Sequence, residues 1–175
     1  MKRNLQLIGS PLLRRKTLPV DLSSESDLID VLLEDMWRIL RDKEGLGLAA
    51  PQAGESLRLF ILKIDDISLR GHTVFVNPVL ELEGPIEKYE EGCLSIPGIY
   101  EQIPRSSLVT LRAQDRDGRE FELKLENLVA RVVQHECDHL EGILFVDRLT
   151  PIRRRLLRSK LARIREEETA GIAGG

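Results

Sequence analysis

The sequence predicts an α+β fold in which antiparallel β-sheets surround a central helix. Apolar residues recur at helical spacing over residues 127–140, which predicts that helix. Alternating segments flank Asp117 and Gly118, a residue pair typical of a β-hairpin turn. Segments rich in Leu, Ile, Val and Phe over residues 57–64 and 73–77 indicate further strands, so most of the sheet precedes the central helix.

One further helix is predicted on each side of these elements. Residues 27–43 carry apolar side chains at helical spacing, and Gly45 follows as a residue suited to end the helix. Pro151 opens a C-terminal helix that is expected to reach about residue 168. The central helix is thus followed by a single C-terminal helix.

A single domain is expected from the length and composition. The chain has 175 residues and is 42% hydrophobic, enough for one domain with a substantial core. A short strand over residues 79–83 is expected to end at a turn formed by residues 84–85. Residues 1–170 are expected to form one catalytic domain, and residues 171–175 a flexible tail.

Charge and cysteine content exclude several classes of protein. The formal net charge is -3, so the overall charge does not favour DNA as a partner. No apolar run is long enough for a membrane span, so we expect no membrane partner. Cys93 and Cys137 can in principle form a disulfide, but both lie in segments where a thiol has other uses. We therefore expect a reducing cytoplasm.

The central helix carries a His-Glu-x-x-His sequence, formed by His135, Glu136 and His139. Residues four apart lie on one helix face, so both imidazoles can point at one metal ion. The Glu between them can reach a metal-bound water as a base. The alternative is a helix with two partly buried, hydrogen-bonded histidines. Because the chain has only three histidines, we favour a metal-binding helix.

Two histidines need a third ligand, and Cys93 is the best candidate. Phe145 occupies the position where extended zinc-protease motifs have a third histidine, and Asp147 is a second candidate. A free cysteine is usually a small buried residue, but a thiolate is also a strong ligand for zinc or ferrous iron. Cys137 is two residues from His135, about 200° around the helix, and should point away from the metal.

Residues 45–52 form a segment of small side chains that permits a close approach of backbone or ligand. Gln52 is the one side chain in it with hydrogen-bonding power. Taken alone, the segment is best explained as a tight, close-packed loop. A functional interpretation arises only when this segment is considered together with residues 91–95 and 134–140.

Three motifs together resemble those of the peptide deformylase family. Residues 45–52 are similar to its Gly-x-Gly-Leu-Ala-Ala-x-Gln motif, residues 91–95 to Glu-Gly-Cys-Leu-Ser, and residues 134–140 to Gln-His-Glu-x-Asp-His-Leu. They occur intact and in family order, and the resemblance covers nearly the whole chain. It implies a metal-dependent hydrolase that removes the formyl group from N-formylmethionyl nascent polypeptides and releases formate.

The resemblance implies that Cys93, His135 and His139 hold one divalent metal ion, with water as the fourth ligand. Ferrous iron is the expected physiological metal, and zinc or nickel can replace it because this ligand set suits all three. Glu136 is implied as the general base.

The resemblance also assigns roles around the metal. The Gln52 amide and the Leu94 backbone N–H are expected to stabilise the negative charge that develops on the formyl oxygen. The residues expected to bind the methionine side chain and the substrate backbone are Leu46, Gly47, Tyr89, Gly98, Leu128 and Val132. The charged residues expected to orient the metal ligands are Glu91, Arg105 and Asp138.

The C-terminal helix suggests a partner. Its basic residues over 153–165 are by default a solvated face, but bacterial members of the family dock a C-terminal helix near the ribosomal exit tunnel, and a basic helix suits contact with rRNA. Two other functions stay open at this point. A zinc endopeptidase would need a carboxylate or histidine as third ligand. A ribosome-binding module with a structural metal would need a fourth protein ligand.

Overall fold

The computed structural model describes the backbone of residues 2–173 and the side chains of residues 2–166. It confirms the predicted α+β fold. The strands are β1 (Gly47–Ala49), β2 (Leu59–Leu62), β3 (Val74–Cys93), β4 (Ile96–Gln114) and β5 (Glu120–Glu126). In this part of the chain they form one antiparallel sheet with the order β1-β2-β3-β4-β5, so every neighbouring pair is also consecutive in sequence.

The helices are α1 (Ser26–Asp42), α2 (Asn127–Leu140), α3 (Pro151–Leu156) and α4 (Arg158–Ala173). The single C-terminal helix expected from the sequence is broken at Leu157. The break separates α3, which buries no residue, from a segment that packs Leu157, Leu161 and Ile164 into a core cluster. Within the described residues, no helix has both the length and the apolar character needed to cross a membrane.

The expected domain boundary stays a prediction. Helix α4 continues through residues 171–173, and residues 174–175 lie outside the described part of the chain. The flexible tail expected over residues 171–175 is therefore untested, as is the assignment of residues 1–170 to one domain.

The longest element of the fold is the hairpin of β3 and β4, which positions Cys93. The turn expected at residues 84–85 is wrong, because β3 continues through it. The register shifts between Glu83 and Ile86, and this bulge accommodates Gly84 with its positive φ of 70° and the proline that follows. The hairpin turns only after Cys93, which pairs with Ile96 across a two-residue connection.

Helix α2 has one face against the sheet and another that carries His135. The packed face belongs to a cluster of buried residues that also includes Phe60 and Phe75, whose rings stack at 4.7 Å between centroids. The buried α2 members of this cluster are Val129, Ala130, Val133 and Leu140. Packing on this side therefore fixes the direction in which His135 points on the other.

Helix α2 ends against the N-terminal segment at Gly142. This glycine has a φ of +74°, and a Cβ added to it would lie 2.8 Å from the backbone carbonyl carbon of Arg14. Gly71 also has a positive φ, +81°, but has nothing within 4 Å of an added Cβ. Both glycines therefore have a backbone conformation that disfavours other residues, but only Gly142 also lacks room for a Cβ.

We expect Gly142→Ala to lower the free energy of unfolding more than Gly71→Ala does. Both variants place a Cβ on left-handed backbone, at about 1–2 kcal/mol. Gly142→Ala adds overpacking against rigid backbone, about 1–3 kcal/mol more. Urea unfolding of both variants with saturating metal measures the difference. Equal losses of stability would contradict the contact with Arg14.

Candidate active site

The three predicted metal ligands converge in the structure. Cys93 comes from the end of β3, and His135 and His139 come from successive turns of α2. Their ligand atoms all lie within 4.8 Å of one another, and the Cys93 Sγ is 3.3 Å from the His139 Nε2. One sulfur and two imidazole nitrogens at this separation can bind a single divalent ion.

The electrostatics of the cluster favour a cation between these side chains. Burial disfavours the protonated form of His135, but hydrogen bonds with Cys93 and Glu91 outweigh burial and raise its pKa to about 10. Burial, followed by the charge of His135, lowers the pKa of His139 well below its usual range. The surroundings therefore stabilise one positive charge at this point. A divalent metal must displace this proton, because His135 binds a metal only as the neutral imidazole.

Glu136 lies between the two histidines in sequence and is 3% exposed. Its Oε2 has no hydrogen-bond partner among the residues described, and burial raises its pKa to about 7. Buried carboxylate oxygens are rarely left without a partner in proteins, so this oxygen suits a water or a substrate atom. Gly47 provides the space, since a Cβ there would lie 2.5 Å from the Glu136 Oε1.

Gln52 is held in one orientation beside Cys93. Its Oε1 accepts a hydrogen bond from the Ala49 backbone N–H at 2.8 Å. Its Nε2 consequently faces the Ser95 Oγ at 3.1 Å and the Cys93 Sγ at 3.6 Å. The amide donor therefore points to the metal-binding cluster, where the sequence predicted it. Ser95, which helps to hold the amide, was not predicted.

The three charged residues expected around the ligands form one buried network. Arg105 donates from Nε and Nη2 to the two Glu91 oxygens at 2.7 and 2.9 Å, and from Nη1 to the Asp138 Oδ2 at 2.8 Å. The Glu91 Oε2 is 3.3 Å from the His135 Nδ1. Burial opposes ionisation of Glu91, but His135 and Arg105 outweigh it and lower its pKa to about 2. Glu91 is thus an ionised carboxylate beside the His135 ring nitrogen, a position suited to orienting the ring.

Two arginines that the sequence analysis did not identify complete this network. Arg131 donates from Nη1 to the Glu91 Oε1 at 2.8 Å. Arg148 donates from Nε to the Asp138 Oδ2 at 2.6 Å. The helical spacing contained a signal for Arg131, because it lies four residues before His135. An arginine on a stripe of apolar residues is easily taken for a solvated one.

A cavity of about 610 Å³ lies beside the cluster. Its lining includes predicted substrate-binding residues and the predicted oxyanion donors: Leu46, Gly47, Gln52, Leu94, Gly98, Leu128 and Val132. Tyr89 is not in the lining. Its ring, 57% exposed, packs on the guanidinium of Arg131, with 4.9 Å between Cζ and the ring centroid. Arg131 itself lines the cavity, whereas Tyr89 contacts it from outside the lining.

The cluster, the buried carboxylate and the adjoining cavity define the class of protein, a metal-dependent hydrolase. Comparison with known proteins gives the family. The family model for polypeptide deformylase matches residues 2–155. A peptide deformylase 2 of Xanthomonas axonopodis pv. citri is 41% identical over 157 residues, which is 89% of this chain and 92% of that protein. A peptide deformylase of Azotobacter vinelandii is 41% identical, covering 90% of this chain and 94% of that protein.

Solved structures of peptide deformylases have the same fold as this chain. The peptide deformylase of Thermus thermophilus superimposes with a TM-score of 0.80 at 40% identity, over 94% of this chain and 98% of that one. The enzyme of Legionella pneumophila has a TM-score of 0.82 at 36% identity, over 97% and 98%. The chain belongs to the polypeptide deformylase family, and it is an enzyme of the hydrolase class. Membership argues against both the endopeptidase and the structural-metal module.

We expect Glu91→Gln to weaken metal binding by about 10–100-fold, because the neutral amide loses the charge that supports His135 and leaves the neighbouring arginines uncompensated. Competition with a chelator measures the dissociation constant. The matched control is Glu81→Gln, which removes a carboxylate from the exposed surface of the same strand. Equal affinities of the two variants would contradict the orienting role of Glu91.

Proposed function

We propose that this chain removes the N-terminal formyl group from N-formylmethionyl nascent polypeptides and releases formate. The observation that carries the proposal is the convergence of Cys93, His135 and His139 beside the unpartnered carboxylate oxygen of Glu136. Hydrolysis of a formamide needs an activated water, a proton carrier and a donor for the developing oxyanion. The cavity brings groups suited to each task to one place.

Cys93, His135 and His139 would hold the metal. A bound divalent ion lowers the pKa of a coordinated water and polarises the formyl group. We propose ferrous iron as the physiological metal, with zinc or nickel as substitutes, because a thiolate with two imidazoles suits each of them.

Glu136 moves the proton. Its Oε2 takes a proton from the attacking water and then gives it to the leaving amine nitrogen, so the products are formate and a free amino terminus. The raised pKa of Glu136, about 7, suits a group that must both accept and return a proton near neutral pH.

Gln52 and Leu94 stabilise the oxyanion in this proposal. The Gln52 Nε2 and the Leu94 backbone N–H donate to the formyl oxygen as negative charge develops on it. The fixed orientation of the Gln52 amide supports this role, because a preorganised donor needs no rearrangement during the reaction. Loss of such a donor typically lowers the rate by about a hundredfold or more.

The cavity suits a methionine side chain. Leu46, Leu128 and Val132 supply apolar lining, and burial of a methionine side chain contributes about 1.5–3 kcal/mol. We propose that Tyr89 acts from outside the lining, through Arg131. The backbone of Gly47 and of the segment from Gly98 to residue 100 would bind the substrate main chain.

We further propose a cytoplasmic enzyme that meets nascent chains at the ribosome. Helix α3 buries no residue, and the side chains of Arg155, Arg158 and Lys160 are exposed, which leaves a basic surface for an anionic partner such as rRNA. Arg153 and Arg154 serve the fold instead, since they pair with Glu101 and Asp147.

We expect the metal-loaded protein to release formate from formyl-Met-Ala-Ser, and Glu136→Gln to lose at least about a hundredfold in kcat while it keeps its metal. The glutamine fills the same space but cannot carry the proton. Glu141→Gln, at the partly exposed C-terminal end of the same helix, is the matched control. Absence of formate release by the parent, with one equivalent of metal bound, would contradict the proposed function.

For ribosome binding, we expect the triple variant Arg155→Glu, Arg158→Glu, Lys160→Glu to lose cosedimentation with ribosomes at low salt and to keep its activity on free peptide. A charge reversal of the same size at Lys63, Arg70 and Arg119 controls for net charge. Cosedimentation that both variants retain equally would remove the proposed role of the C-terminal helices.

A further inference from the structure

Arg131 lies between two apolar residues, Leu128 and Val132, in the part of the cavity wall that α2 contributes. Leu128, Arg131, Val132 and His135 follow one another at intervals of three, one and three residues along α2, so they share one helix face, and all four line the cavity. Leu128 is 53% exposed and Arg131 only 8%. Leu128 therefore lies at the cavity mouth, and Arg131 lies deeper, between the mouth and the metal ligand His135.

The guanidinium of Arg131 is held from several directions. Its Nη1 donates to the Glu91 Oε1 at 2.8 Å and to the Ile103 carbonyl at 3.0 Å. Its Nη2 donates to the Glu87 carbonyl at 3.1 Å, and the Tyr89 ring covers its face. Two of these groups are backbone carbonyls of β3 and β4, which cannot rotate away. A buried charge that leaves such partners is strongly destabilised, so the side chain has one position.

A fixed side chain in a pocket wall has a different effect from an apolar one. An exposed leucine such as Leu128 can change rotamer at small cost to admit a wider ligand. Arg131 would have to give up its contacts with Glu91 and both carbonyls to do the same. The wall at Arg131 is therefore rigid, whereas the wall at Leu128 can adapt.

We propose that Arg131 is a positioning residue that sets the width of the pocket and so the largest side chain that can follow the formyl group. The proposal rests on the proposed function. Glu91 and Tyr89 hold Arg131 in place, and Arg131 in turn excludes side chains broader than methionine, such as an aromatic ring. The same contact between Arg131 and Glu91 links the pocket wall to the carboxylate that orients His135.

The test is a ratio of specificities. kcat/KM is measured for formyl-Met-Ala-Ser and formyl-Phe-Ala-Ser with the metal-loaded parent and with Arg131→Ala. We expect the preference for methionine over phenylalanine to fall by about tenfold or more, because truncation opens the wall. A residue with only a structural role would lower both values equally. An unchanged ratio would overturn the proposal.

Two further variants make the test decisive. Tyr89→Ala removes the ring that covers Arg131 without opening the core, and we expect a smaller fall in the same ratio. If Arg131→Ala does not fold, the ratio measured for Tyr89→Ala decides, and no change there overturns the proposal. Arg112→Ala, which removes an exposed arginine paired with Glu122, is the control and should keep the parent ratio. Formate release by the parent tests the proposed function separately. A failure of the proposed function can therefore be distinguished from a failure of the role proposed for Arg131.

Discussion

The buried ion pair between Glu91 and Arg105 is the contact on which the active site depends. Their side chains are 7% and 1% exposed, so neither charge is solvated. Removing one partner of such a pair typically costs about 3–5 kcal/mol, because the other charge is left buried. Strands β3 and β4 and helix α2 must therefore meet in the arrangement that also sets Glu91 beside His135. Stability and metal-ligand geometry are coupled through one carboxylate.

Space matters as much as charge at this site. Gly45 and Gly47 are not among the glycines with positive φ, so backbone conformation does not require glycine at either position. Both positions require glycine for lack of space. A Cβ at Gly45 would lie 2.7 Å from the Leu94 Cδ1, and a Cβ at Gly47 would lie 2.5 Å from the Glu136 Oε1. The Gly-Ala segment thus lets the Glu136 carboxylate and the Leu94 side chain approach it closely. The sequence pattern alone did not distinguish this role from that of a tight loop.

The sequence predicted the fold class and the metal-binding cluster because both depend on local patterns and motifs. Helical spacing placed His135 and His139 on one face, and the structure brings Cys93 to them. The sequence could not show that Tyr89 lies behind Arg131, because that depends on which way each side chain leaves a long, bulged strand. The break at Leu157 was also missed, since it follows from the burial of Leu157 and Leu161 against distant segments. Burial of Arg131 depends on partners in two strands, β3 and β4, which no periodicity reveals.

X-ray absorption at the metal edge of the zinc-loaded protein tests the central claim, that one thiolate and two imidazoles hold the catalytic metal. We expect one sulfur at about 2.3 Å and two nitrogens at about 2.0–2.1 Å from the zinc. The sulfur contribution should disappear in Cys93→Ser and persist in Cys137→Ser. A parent spectrum without sulfur, or a sulfur contribution that persists in Cys93→Ser, would contradict it.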